Sequence, residues 1–396
     1  MQRTQAKAIF ALIRSAIMGT AISEEEKNVI VANDLSELFK IARAHDLAHL
    51  LATALQENDF SSEDTEEKAR FIQIRSIAVG RRALQQYALE QISALLEEEQ
   101  IPYLPLKGSV ICNLYPQPWM RTSCDIDILV HKEDVDTVVE KLQAKGYRFE
   151  GDHYHDVSLF SEEGVHLELH YELIEERDSL ECHAILQDIW SQLLPVEGRN
   201  YEKRMPQELF LFYHIAHTAK HFVYGGCGIR PFLDLWIMKS KMPFNAQKLE
   251  QLLHEGGLQT FYEYAVKLIE YWFEAAEADD TVRGMETYVL RGGVYGTEEN
   301  KIAVNREHPH GKVGHLLSAI FIPYENLWRT YPKLKGKKWL TPVYQVRRWF
   351  RILFKGMSSN TKKTLKTYDA VSKQQQEETK RLLDSLKLCQ KEGKGF

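Results

Sequence analysis

A chain of 396 residues is long enough for two or three domains at roughly 150 residues each, and for a sizeable buried core. With 44% apolar and 27% charged residues and only 12 Pro and 22 Gly, disordered, low-complexity and fibrous classes are excluded. The five cysteines, at 112, 124, 182, 227 and 389, form no CxxC pair, which argues against a disulfide framework or zinc knuckle and for a reducing compartment. The net charge of −6 conceals an asymmetry. Residues 331–396 carry 17 basic and 5 acidic side chains, against 33 and 51 in residues 1–330.

Near the start, Arg14 interrupts the apolar run Ala8 to Ile13 before it reaches the length of a signal-peptide core, and no later stretch approaches 18 uncharged apolar residues. These features predict a cytoplasmic protein without a membrane span. From Gln2 to about Gln100 the spacing is helical, as in Leu35, Leu38, Phe39 and Ala42, then Leu47, Leu50, Leu51 and Leu55. Ser61, Ser62 and Asp64 offer caps for a long helix reaching Glu99.

At Gln100 the period changes. Ile101 to Leu106, broken by two prolines, predicts an edge-like strand, and Lys107-Gly108-Ser109 opens a helix through Tyr115. Asp125 to Val130 predicts a strand and Lys132 to Lys145 a helix, followed by strands at Tyr147 to Glu150, His155 to Ser161 and Val165 to Leu173. Helices are expected at Pro206 to Tyr224, Arg230 to Lys241, Asn245 to Glu255 and Leu258 to Ala276. The acidic stretch Glu277 to Asp280, followed by Gly292, Gly293 and Gly296, reads as a loop or linker. Further helices are expected at His315 to Tyr324 and Val343 to Lys355, with a polar helix or tail from Thr361 to Gln390. The fold class is therefore α+β, a small mixed β-sheet core embedded between N-terminal and C-terminal helical regions. The expected divisions are 1–99, 100–175, 176–330 and a basic helical segment 331–396.

Asp125-Ile126-Asp127-Ile128 carries the strongest chemical signal. On a strand both carboxylates project from one face while Ile126 and Ile128 enter the core, and paired carboxylates repel unless a cation such as Mg²⁺ neutralises them. An isolated Asp-x-Asp is more often a solvated strand face. Eighteen residues upstream, Lys107-Gly108-Ser109 stands at a strand-to-helix turn, where backbone N–H groups and the helix dipole favour a phosphate. The same residues are also common in ordinary turns. A third acid follows in Val165 to Leu173, where alternation places His166, Glu168, His170 and Glu172 together on one face.

These pieces together resemble the nucleotidyltransferase superfamily typified by DNA polymerase beta. The longer pattern Leu106-Lys107-Gly108-Ser109, Leu114-Tyr115-Pro116, Arg121 and Asp125 to Val130, with Glu168-Leu169-His170, is similar more specifically to the bacterial uncharacterised nucleotidyltransferase family. The gap of 15 residues between Ser109 and Asp125 is slightly longer than the usual superfamily spacing, and the third acid is Glu rather than Asp. The resemblance implies a Mg²⁺-dependent transfer of a nucleoside monophosphate from a nucleoside triphosphate, ATP among them, with release of pyrophosphate. Asp125, Asp127 and Glu168 would hold two Mg²⁺ ions, or Mn²⁺. Lys107, Gly108, Ser109, Arg121, His170, His217, His221 and Arg230 would line the nucleotide site. The acceptor is open, a small molecule or peptide being favoured over RNA.

Several features carry plainer readings as well. His214, His217 and His221 share one helix face, but Thr218 stands where HExxH zinc chemistry requires Glu. Arg230 and Asp234, four apart, suit a helix ion pair or an Arg230 turned to the triphosphate. The segment Lys333 to Lys355 interleaves basic and aromatic residues, a pattern for an anionic membrane or nucleic acid, or more often for packing on the acidic remainder of the chain. The alternative to an enzyme is a non-catalytic nucleotide-binding or antitoxin-like interaction protein that retains the fold.

Overall fold

A computed structural model describes residues 3–58, 60, 65–152, 155–174, 181–294, 296, 300, 321–324, 327–328, 331–334, 336–355 and 373–388. The N-terminal region is helical: α1 (Arg3–Met18), α2 (Glu24–Val31), α3 (Leu35–Ala44), α4 (Ala48–Glu57) and the long α5 (Thr65–Glu98). Local sequence marks these ends. Ser23 and Glu26 form a capping box on α2, and Asp34 accepts from the Ser36 amide at the start of α3. The expected caps Ser61, Ser62 and Asp64 lie outside the described residues.

Strand β1 (Tyr103–Pro105) leads into a single turn of helix, α6 (Gly108–Ile111), that tightens into a 3₁₀ turn at Cys112–Leu114. Then follow β2 (Asp125–Val130), α7 (Val135–Ala144), β3 (Arg148–Asp152), β4 (Asp156–Phe160) and β5 (His166–His170). The sheet order is β1-β2-β5-β4-β3, with β2 and β5 parallel and the remaining pairs antiparallel. Pro105, which cannot donate to a ladder, sits in the edge strand.

Alternation along β2, β4 and β5 gives the sheet two unlike faces. Ile126, Ile128, Val130, Val157, Leu159, Leu167 and Leu169 pack against Ile92, Leu95 and Leu96 of α5 and Val138 and Leu142 of α7. Asp125, Asp127, Ser158, His166, Glu168 and His170 occupy the opposite face, beneath the helices that follow.

Those helices are the short α8 (His183–Gln187), then α9 (Gln207–Val223), α10 (Arg230–Lys241), α11 (Ala246–Glu255), α12 (Gln259–Phe273) and α13 (Asp280–Gly292), with a two-stranded ribbon β6 (Leu194–Pro195) and β7 (Lys203–Arg204) before α9. Helix α13 corrects the expected linker. Asp279 caps it by accepting from the Val282 amide, and Val282, Met285, Tyr288 and Val289 are buried. The acidic cap and the terminal glycines are helix punctuation rather than a loop.

The N-terminal helices share one apolar core with α9 to α13, joined by contacts such as the stacked Phe10 and Trp272 rings at 4.4 Å. Beyond residue 321 the described helices are α14 (Thr341–Lys355) and α15 (Lys373–Ser385). Residues 315–320 of one expected helix, and 361–372 of the expected polar tail, fall outside the described residues. In the basic segment Trp349 packs on Phe321, Arg347 and Arg351 lie over Tyr331, and Trp339, Val343, Val346 and Phe350 are exposed. Cys112, Cys182 and Cys227 are buried free thiols and Cys124 is an exposed one. Among the described residues no helix is long and apolar enough to cross a membrane.

Buried histidines stitch the helical regions together in their neutral form. His45 donates from Nε2 to the Leu290 carbonyl and accepts at Nδ1 from the Ile229 amide, an arrangement that a second ring proton would break. His49 and His214 donate to the carbonyls of Met120 and Pro231. Burial pushes all three below the usual histidine range, His45 to about 4. Because the unfolded chain binds these protons more readily, stability should fall as the pH drops below about 6.5. Near pH 5 His45 alone should contribute a slope of about 1.2 kcal/mol per pH unit, with His49 and His214 acting in the same direction. Thermal unfolding midpoints measured between pH 7 and pH 5 check this; a flat profile would contradict it.

Candidate active site

In the parallel ladder of β2 and β5, Asp127 lies directly across from Glu168 and Asp125 from His166. Since neighbouring strands run about 4.8 Å apart, this register brings acids from distant parts of the chain onto one short stretch of sheet surface. Ligand atoms of Asp127, Glu168 and His170 lie within 4.8 Å of one another, as do those of Asp125, His166 and Glu168. Glu168 belongs to both groups. A third group, His155, Asp156 and His170, continues the polar surface onto β4.

The charges on this surface are strongly coupled. Asp127 is almost fully buried, and its Oδ1 accepts from both Lys107 Nζ and His170 Nε2 at 2.8 Å. Burial alone would raise its pKa, but the Lys107 ammonium and the His170 hydrogen bond hold it well below the usual carboxylate range. Burial would likewise raise Glu168, yet the hydrogen bond from His170, 3.5 Å away, draws it down. His170 is held up against burial and the Lys107 charge by Asp127 and Glu168. Asp125 differs: burial, then the like charges of Asp127 and Glu168, push it up, despite a 2.7 Å hydrogen bond from Ser123 Oγ. A carboxylate so placed gains from a nearby cation, and the oxygen-rich donor set fits a hard divalent ion, with the imidazole adding tolerance for Mn²⁺.

Lys107 reaches Asp127 from a backbone of φ +44°, a region that non-glycine residues seldom enter. Its carbonyl accepts from the Val110 and Ile111 amides, and the Ser109 amide donates to Leu106. Gly108 follows at a position without room for a side chain: a Cβ there would stand 2.6 Å from Arg121 Nη1 and 3.2 Å from Ser123 Oγ. Gly108→Ala should therefore displace Arg121 and disturb its buried contact with Asp234, costing about 1–3 kcal/mol of stability. Denaturant unfolding checks this, and an unchanged midpoint would contradict the crowding.

The two predicted arginines brace this turn from behind. Arg121 makes a bidentate contact with Asp234, from Nη2 at 2.9 Å and from Nε at 3.3 Å, while the Tyr115 hydroxyl donates to Asp234 at 2.7 Å. Arg230 donates to Asp46 at 3.0 Å and to the Thr122 carbonyl at 3.1 Å. The expected Arg230–Asp234 pairing along one helix is thus replaced by two ion pairs between elements, because each partner is buried beside a better-placed charge. Arg121 also feels the Asp125 carboxylate on the sheet.

Helix α9 contributes the opposite wall. His217 and His221 approach through their Nε2 atoms at 3.0 Å. Burial, then the Lys107 charge, holds His217 well below the usual histidine range. One helical turn before His217 stands Tyr213, whose hydroxyl is pushed up to about 12 by burial and also responds to Lys107, Asp127 and Glu168. Tyr213, His155, Ser123 and Asp156 were not expected from the sequence. Only Tyr213 had a signal there, its i, i+4 spacing to His217.

Residues 32–274 match a family model described as an uncharacterised nucleotidyltransferase. The chain belongs to the uncharacterised nucleotidyltransferase family. Among solved structures, this nucleotidyltransferase-family chain is similar to antibiotic-resistance factor ANT(2'')-Ia, at 14% identity over 46% of this chain and 95% of that one, with a TM-score of 0.31. It is also similar to an antigenic nucleotidyltransferase-like protein from Paracoccidioides brasiliensis, at 16% identity over 50% of this chain and 94% of the other, TM-score 0.29. A search of curated proteins gave no match.

Proposed function

We propose that this protein transfers a nucleoside monophosphate from a nucleoside triphosphate to an acceptor hydroxyl or phosphate and releases pyrophosphate, with Asp125, Asp127 and Glu168 as its catalytic acids. One observation carries the reading: the β2–β5 register that sets Asp127 against Glu168, with Asp125 two residues along the same face. Two Mg²⁺ ions, or Mn²⁺, held by these three acids would neutralise the triphosphate and polarise the α-phosphate.

The chain's own residues perform the remaining work. The acceptor oxygen bonds to the α-phosphorus as the bond to the bridging oxygen breaks, and pyrophosphate leaves with the electron pair; where the acceptor is a hydroxyl, its proton passes to Glu168, whereas a phosphate acceptor attacks as the oxyanion. Lys107 supplies the counter-charge at the leaving group, and the Gly108 amide and Ser109 hydroxyl receive the terminal phosphates. His170 orients Asp127 and Glu168, while His217 and His221 border the nucleotide from α9. Arg121 and Arg230 hold the phosphate turn in place rather than touching the nucleotide.

For the acceptor, we favour a small molecule or a peptide over RNA, since residues 1–330 carry an excess of 18 acidic side chains that would repel a polyanion. Free thiols suit a reducing, cytoplasmic setting. Incubating the protein with each of the four α-labelled triphosphates, Mg²⁺ and cell extract tests the function. Label on an acceptor with matching pyrophosphate release, both lost on chelation, is expected. Tight triphosphate binding without pyrophosphate release from any of the four would instead support the non-catalytic nucleotide-binding alternative.

A further inference from the structure

Helix α14 and the 3₁₀ turn Lys338–Leu340 that enters it have two unlike sides. One side holds to the rest of the chain. Gln345 is buried and donates to the Ile322 carbonyl, and Trp349, one turn on, packs edge-on against Phe321 at 5.0 Å. The other side is apolar yet exposed. Trp339, Val343, Val346 and Phe350 follow one another at intervals of four, three and four residues and are 77%, 61%, 43% and 55% accessible.

Cations border this stripe. Arg347 and Arg351, one turn apart and both exposed, lie over the Tyr331 ring at 5.7 Å, which fixes their place beside the apolar side chains. Lys337 and Lys338 are exposed at its entrance, Lys338 over the Tyr324 ring. The surrounding sequence supplies no counter-charge: residues 326–368 contain twelve Lys and Arg and no Asp or Glu.

We propose that this stripe docks on an anionic lipid bilayer, with α14 lying in the plane of the headgroups. Fifteen residues that include three arginines and a lysine are too short and too charged to cross a membrane, but they suit its surface. The run of cations selects a negative partner, and the apolar stripe selects lipid over nucleic acid. A phosphate backbone would engage the cations and leave Trp339, Val343, Val346 and Phe350 in water, whereas the headgroup boundary receives both kinds of side chain at one level. Trp339 stands at the end of the stripe, and its amphipathic ring is of the type that anchors at such a boundary. Screening over about 8 Å at physiological salt lets the charge of the apposed segment count for more than the acidic excess of the whole chain.

Co-sedimentation of the full chain with vesicles tests the proposal. Phosphatidylcholine vesicles containing about 30% phosphatidylserine should retain the protein at about 0.1 M salt and at least tenfold more weakly at about 0.5 M, while phosphatidylcholine alone should retain little. Trp339→Ala removes apolar surface without changing charge, so it should weaken retention at least tenfold and leave the thermal midpoint unlowered. Arg347→Gln combined with Arg351→Gln should weaken retention and flatten its salt dependence. No retention at low salt, equal retention by phosphatidylcholine alone, indifference to Trp339→Ala, or binding of single-stranded RNA in place of the vesicles would overturn the proposal.

Discussion

Asp127→Asn should reduce nucleotidyl transfer at least about a thousandfold, measured as pyrophosphate release at saturating triphosphate, because it removes the carboxylate charge around which the site is arranged. Asp127 is nearly inaccessible, and the same oxygen accepts from Lys107 and His170. The amide keeps the shape but cannot balance two cationic groups, so a smaller loss of folding stability, on the order of 1–3 kcal/mol, should accompany the catalytic loss. The two effects separate by condition: raising the metal concentration should not restore turnover, whereas lowering the temperature should restore the fold. Transfer within tenfold of wild type would remove Asp127 from the catalytic machinery.

The largest effect on stability is expected at Asp234. It lies 113 residues from Arg121 in sequence, is fully enclosed, and accepts from that guanidinium and from the Tyr115 hydroxyl. The Arg121 guanidinium and its hydrogen bonds hold Asp234 below the usual carboxylate range against the effect of burial. Removing one partner of a buried pair leaves the other charge without compensation, so Asp234→Ala should cost about 3–5 kcal/mol. Because Arg121 also fills the space beside Gly108, the variant should lose activity even at temperatures where it is folded. Arg121→Lys should restore little, since an ammonium cannot reproduce the bidentate contact. Denaturant unfolding monitored by circular dichroism checks both variants; a loss below about 1 kcal/mol for Asp234→Ala would contradict a structural role.

Local patterns in the sequence show much of this architecture. The alternation in Asp125 to Val130 and in His166 to His170 gives two strands and the face on which their acids stand, since a pleated strand with one buried side admits one assignment. The α+β class follows from the change of period at Gln100. What local patterns omit is pairing at a distance. Nothing in either strand states that β2 and β5 are parallel neighbours with Asp127 level with Glu168. The same limitation explains Arg121 and Arg230. From spacing alone, Arg230 and Asp234 suit one another, but each is buried against a partner from another element, Asp46 and Arg121 respectively. Lys107 looks from sequence like a phosphate-binding turn residue; its left-handed backbone, which brings the ammonium onto Asp127, has no local signature. Helix α13 was legible in its apolar positions 282, 285, 288 and 289, but its acidic cap and terminal glycines carry the same letters as a linker.

The convergence of Asp125, Asp127 and Glu168 on shared divalent cations is tested most directly by anomalous diffraction from crystals soaked with Mn²⁺ and a non-hydrolysable triphosphate analogue. The account predicts anomalous peaks within about 2.6 Å of carboxylate oxygens from these three residues, with the terminal phosphates at the Gly108 turn. Anomalous density elsewhere, for example between His217 and His221, with no peak between β2 and β5, would contradict it.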